Sequence, residues 1–144
     1  MKTKEIKTNW GIQSASFWMT LLIAAGIIFI GARFIVNPLV GADGFGIPIS
    51  SMDDLPFGKI KGIRDIFSGL VLLPFLFLKM RKAAAFALTT AIIVPATDFC
   101  IVLVTNGPKD LQHLLIHGLT VVYMIVTSIL LFRENATSTP TPLQ

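Results

Sequence analysis

The stretch FWMTLLIAAGIIFIGARFIV, residues 17–36, decides the fold. It carries no charge before Arg33. At 1.5 Å per residue a helix of about 20 residues crosses the ~30 Å hydrocarbon layer of a bilayer. A buried strand would be only 4–8 residues long. A helix also satisfies its own backbone hydrogen bonds, which a bilayer demands. Three further stretches read the same way, residues 60–78, 83–104 and 111–132. The spacing therefore predicts an all-α, integral membrane four-helix bundle over residues 17–132, multi-pass in the cell membrane with the lipid bilayer as its partner.

Composition agrees. Hydrophobic residues make up 53% of the chain and charged residues 14%, against about 25% charged in a soluble domain. Mean hydropathy is +0.76. The net charge of +4 does not point to nucleic acid, because the basic residues stand at the ends of the apolar runs, where topology places them. A signal peptide is not expected: residues 17–36 are too long for an h-region and no small-residue cleavage site follows. Cys100 is the single cysteine, so no internal disulfide is possible. Its place in an apolar run reads as a core thiol.

Basic residues set the orientation. With four spans, one side carries Lys2, Lys4, Lys7, Lys79, Arg81, Lys82 and Arg133, and the other Lys59 and Lys109. The positive side faces the cytoplasm, which puts both termini inside. Residues 1–16 form the N-terminal tail. The Thr- and Pro-rich residues 133–144 read as a disordered tail, and its Asn135-Ala136-Thr137 sequon as accidental on the cytoplasmic side. The loop of residues 37–59 is too apolar for water and is expected along the membrane interface or folded over the bundle. Its GADGFG segment, residues 41–46, reads as a turn. Ala83, Ala87 and Ala91, with Ala25, Gly26 and Gly31, are expected where helices approach closely. Trp10, Phe17 and Trp18 read as interfacial aromatics.

Depth singles out a candidate site. Counting from the outer ends of the spans, Arg33, Arg64, Asp65, Asp98 and His117 all lie roughly 5–9 Å below the outer boundary. The inner half of the bundle is expected to hold no ionisable group. Each charge in hydrocarbon costs about 2.5–3.5 kcal/mol unless paired or wet. Two arginines and two aspartates at one depth therefore predict a mutually paired cluster, with His117 alongside. Asp98, Asp65 and His117 are the candidate proton-transfer groups, and Arg33 and Arg64 the candidate ligand-binding ones. Lys61 reads as an interfacial anchor, and Arg33 could equally snorkel to the headgroups. Pro95, three residues before Asp98, removes a backbone hydrogen bond there. His113 and His117, four apart, lack the third ligand a metal site needs, so no metal is expected. No nucleotide, haem or catalytic-triad motif occurs, so no cofactor is expected either.

Several of these residues carry a resemblance. Gly31-Ala32-Arg33-Phe34 with Pro38, then Gly44-Phe45-Gly46-Ile47-Pro48, Lys61-Gly62-Ile63-Arg64-Asp65 with Gly69, Pro95 with Asp98, and His117-Gly118 follow one another in an order that resembles a small membrane family. That family is catalogued as domain of unknown function 4267 and is distantly similar to DoxX-like membrane proteins. The resemblance implies a four-span architecture over residues 17–132 but no activity. Its DoxX side hints, by fold analogy alone, at redox or quinone-linked partners. From the residues themselves, three functions compete: a site that binds or transforms a lipophilic small molecule, a non-catalytic accessory subunit whose buried charges lock helix packing, and a transporter or proton pathway. The last needs ionisable groups through both leaflets, which the pattern lacks.

Overall fold

A computed structural model describes residues 10–133; the N-terminal tail before Trp10, the expected C-terminal disorder and the sequon lie outside them. Six α-helices follow in order: α1 (Ala15–Val36), α2 (Pro38–Phe45), α3 (Leu55–Phe77), α4 (Arg81–Ala91), α5 (Ile93–Asn106) and α6 (Leu111–Arg133). A 3-10 turn, Met52–Asp54, precedes α3. Among the described residues there is no strand.

Local chemistry explains the boundaries. Asn37 ends α1 and its side chain accepts from Val40 N, capping α2, while Pro38 supplies the preset φ of a first helical turn. The GADGFG segment is thus helical up to Phe45 rather than a turn. Only Gly46, at φ 99°, leaves the helix in the left-handed region that a glycine adopts freely. The second apolar stretch starts its helix at Leu55, before the predicted residue 60, because Pro56 again fits the first turn. The third stretch is two helices. Pro95 has no N–H for the Ala91 carbonyl, and Ile92 N bonds instead to Thr89 O.

Among the described residues three segments are long and apolar enough to cross a membrane: Ala15–Val36, Arg81–Asn106 and Leu111–Arg133. The fourth rod, α3, has 23 residues but carries Lys59, Lys61, Arg64 and Asp65 in its first half.

Close backbone approach joins α1 to α3. A Cβ on Gly31 would lie 2.5 Å from Gly62 O, one on Gly62 2.7 Å from Gly31 O, and one on Gly69 2.6 Å from Ala24 O. Small residues at such crossings let backbones meet in lipid. Gly31 plays the part expected of it. Ala25 does not, being exposed, and Gly26 meets nothing within 4 Å. On α4 the buried face is Ala84, Ala85 and Leu88, one position round from the expected Ala83–Ala87–Ala91 row.

At the basic end, where Trp10 and α4 begin, these helices close over a core of Trp10, Ala24, Leu72, Leu76, Leu88, Met124 and Leu131. Trp10 is a core residue there, bonded through Nε1 to Ser16 Oγ at 2.9 Å, while Trp18 is exposed as expected of an interfacial ring. Arg81 is 9% exposed on the core face of α4, so this end does hold a buried charge. Toward the α2 end the bundle loosens. Beyond the break at Ile92, α5 packs on α6 and stands off α1 and α3. Cys100 on α5 is exposed rather than a core thiol.

Candidate functional site

The loosened half encloses a cavity of about 810 Å³, within the ~300–1,000 Å³ typical of small-molecule sites. It is lined along α1 from Leu22 to Arg33. The eleven rises of 1.5 Å between these two residues make it about 16 Å deep. Its lower part is apolar, with Ile23, Ile27, Leu72, Leu88 and Met124. Phe67, Ile93, Val94, Leu22 and Leu119 line it and are also exposed. The cavity therefore opens through the apolar flank of the bundle.

Its charged residues and His117 gather in the upper part, beneath α2, while Ser68, Thr90, Thr120 and Tyr123 also line it. Lys61 Nζ donates to Asp65 Oδ2 at 2.7 Å, one turn along α3. The same ammonium lies 4.9 Å from the Phe34 ring centre and 4.8 Å from that of Phe45, close enough for cation–π attraction. His117 Nε2 bonds to the Phe45 carbonyl at 2.9 Å, and the two rings meet edge-on at 4.7 Å. A carbonyl only accepts, so Nε2 carries the hydrogen. Asp65 and His117 are each 7% exposed. Asp98 lines the cavity within electrostatic reach of Lys61, His117 and Asp65. Among the described residues Asp98 has no hydrogen-bond or ion-pair partner.

The structure thus brings Asp65, Asp98 and His117 to one cavity. Arg33 reaches it at the rim, exposed and beside Gly44, which is the snorkelling position. Arg64 does not line it and is exposed. The expected pairing of arginines with aspartates is absent among the described residues. Lys61 takes that role instead of serving as an interfacial anchor. The reason is helical geometry: residues four apart share a face, whereas Arg64 and Asp65, adjacent in sequence, diverge by about 100°. That spacing was the signal that could have found Lys61. Ala91 and Pro95 line the same face as Asp98.

A second polar knot ties the α5–α6 turn to α2. Asn106 Nδ2 donates to Gly46 O and to Asp110 Oδ2, and Asp110 pairs with His113 Nδ1 at 2.8 Å. The Asn106 hydrogen bond, helped by His113, holds the Asp110 carboxyl below its ordinary value. The two histidines thus have separate partners, Asp110 for His113 and Phe45 O for His117. The C-terminal end of α2 is held from two sides, at Phe45 by His117 and at Gly46 by Asn106.

A family model, Domain of unknown function (DUF4267), matches residues 24–131. The chain belongs to this family. The DUF4267 segment takes in α2, the polar cluster and every cavity residue named above except Leu22 and Ile23. No curated protein and no solved structure matches the chain.

Proposed function

We propose that this DUF4267 protein binds a lipophilic small molecule drawn from the bilayer, seating its polar end beside Asp98 and its apolar body in the cavity below. In this reading α1, α3, α4–α5 and α6 all cross the membrane, with both chain termini on the cytoplasmic side and the polar layer under the outer surface. The observation that carries the proposal is the union of one cavity and one unpartnered carboxylate, Asp98, at its polar level. A charge in hydrocarbon is costly, and such residues commonly face a water-filled or ligand-filled space. Asp98 and His117 are the groups placed to exchange a proton with a bound molecule. Lys61 and Asp65 give the site a fixed dipole.

The rival reading, buried charges that lock helices together, has less support. The ion pair joins two residues of the same helix. Its lysine reaches α1 and α2 only through the Phe34 and Phe45 rings, so no ion pair joins one helix to another at this level among the described residues.

Native mass spectrometry of the purified protein tests the proposal. Wild type is expected to retain a small lipophile through delipidating detergent exchange. Gly26→Phe, whose Cβ meets nothing within 4 Å and whose ring would enter the cavity that Gly26 lines, is expected to lose it. Retention of no lipophile by wild type, or equal retention by the variant, overturns the reading.

A further inference from the structure

The unanswered polar groups of the cavity say what kind of head group it takes. Asp65 is satisfied by Lys61, and Arg33 stands exposed at the rim, where headgroups and water solvate it. His117 spends its Nε2 hydrogen on Phe45 O, which leaves Nδ1 on the other side of the ring. Asp98 is a carboxylate with no partner among the described residues. On its own helix face, Pro95 has no N–H to give the Ala91 carbonyl. Among the described residues, the Asp98 carboxylate is therefore the charged group of the enclosed part that lacks a hydrogen-bond or ion-pair partner. Lys61 and Asp65 cancel, so an ionised Asp98 would leave one negative charge in the cavity. An uncompensated charge in a low-dielectric site is among the costliest things a protein can bury.

We infer that the ligand is a single-chain amphiphile with a primary ammonium head, which supplies three N–H donors and the missing positive charge to Asp98. The Phe34 and Phe45 rings are already engaged by Lys61, so no aromatic cage is left over for a quaternary ammonium. The mainly apolar lining below the polar layer suits an alkyl body. This inference rests on the ligand-binding reading above and specifies its head group.

Protein in phosphatidylcholine nanodiscs, titrated with dodecylamine, dodecanol, dodecyltrimethylammonium, dodecanoate and methyl undecyl ketone, tests it by the shift in thermal unfolding. Dodecylamine is expected to bind at least about tenfold tighter than the other four. Asp98→Asn is expected to remove that preference and, by removing the uncompensated charge, to raise the ligand-free unfolding temperature, while dodecanol still binds. Asp98→Glu, which keeps the charge, is expected to retain most of the preference. If dodecanoate or the ketone binds as tightly as the amine, or Asp98→Asn keeps the preference, the head-group inference is overturned and the lipophile reading survives. If no dodecyl compound binds, both fall.

Discussion

Two glycines five residues apart on α1 are expected to respond to substitution in opposite directions. At Gly31 an added Cβ would sit 2.5 Å from Gly62 O and 2.8 Å from Ile66 N. Ordinary contacts are about 3.5–4.0 Å, so α1 and α3 must part by about 1 Å, and a gap of that size forfeits a quarter to a half of each dispersion well. Overpacking of this kind costs about 1–3 kcal/mol, or about 3–10 °C in melting temperature for a chain of this size. At Gly26 the same atom meets nothing within 4 Å. Removing a glycine from a helix interior there stabilises by about 0.5–1 kcal/mol, a rise of about 2–4 °C. Trp10 lies in the core, so tryptophan fluorescence on heating in detergent reports both. Gly31→Ala should melt lower than wild type. Gly26→Leu should melt slightly higher and fail to retain the lipophile. A Gly26→Leu protein as unstable as Gly31→Ala would show that the cavity is not open space, and the argument built on it would collapse.

The paired charges give a second contrast. Lys61→Met leaves Asp65, 7% exposed, without its partner and is expected to cost about 2 kcal/mol, discounted for the 30% exposure of the lysine side chain. Arg64→Gln is expected to change stability by less than about 0.5 kcal/mol, and equal losses in denaturation midpoint would contradict the assignment of Lys61 as the partner. The Asp110 knot predicts a pH response. Its carboxyl is held below the ordinary value of 3.8, so its contribution is present above that pH and is lost as pH falls through the lowered value. Amide protection at the C-terminal end of α2, measured relative to the intrinsic exchange rate at each pH, should therefore fall in acid below about pH 4 in wild type, and Asn106→Ala should show that lower protection already at neutral pH. Acid-independent protection in wild type would count against the knot.

The all-helical character was legible in residues 17–36 and their three counterparts, because apolar runs of that length exceed a strand and suit a helix; among the described residues three segments are long and apolar enough to cross a membrane, and α3 is not one of them. The shared level of Asp65, Asp98 and His117 followed from the same 1.5 Å rise. What depth alone could not supply was azimuth. Rise places Lys61, Arg64 and Asp65 in one band, but only rotation about α3 separates the lysine that pairs from the arginine that turns away. The small-residue rows failed for a related reason. Spacing of four marks a helix face without saying which face meets a neighbour, and Gly62 and Gly69 on α3, not Ala25 or Gly26 on α1, proved to be the partners of Gly31 and Ala24. Pro95 was read as a lost hydrogen bond. Its larger consequence, that α5 stands away from α1 and α3 and opens the cavity, depends on packing that no single helix encodes.

Photolabelling offers the most direct check that a lipid-accessible cavity exists within the bundle. A long-chain alkyl diazirine would be photolysed with the protein in nanodiscs and the modified peptides mapped. Label should concentrate on Ile27, Ile30, Val94 and Met124, and vanish from them in Gly26→Phe. Label confined to Phe29, Val36 and Val104, which face away from the cavity, with those four residues untouched, would contradict the account.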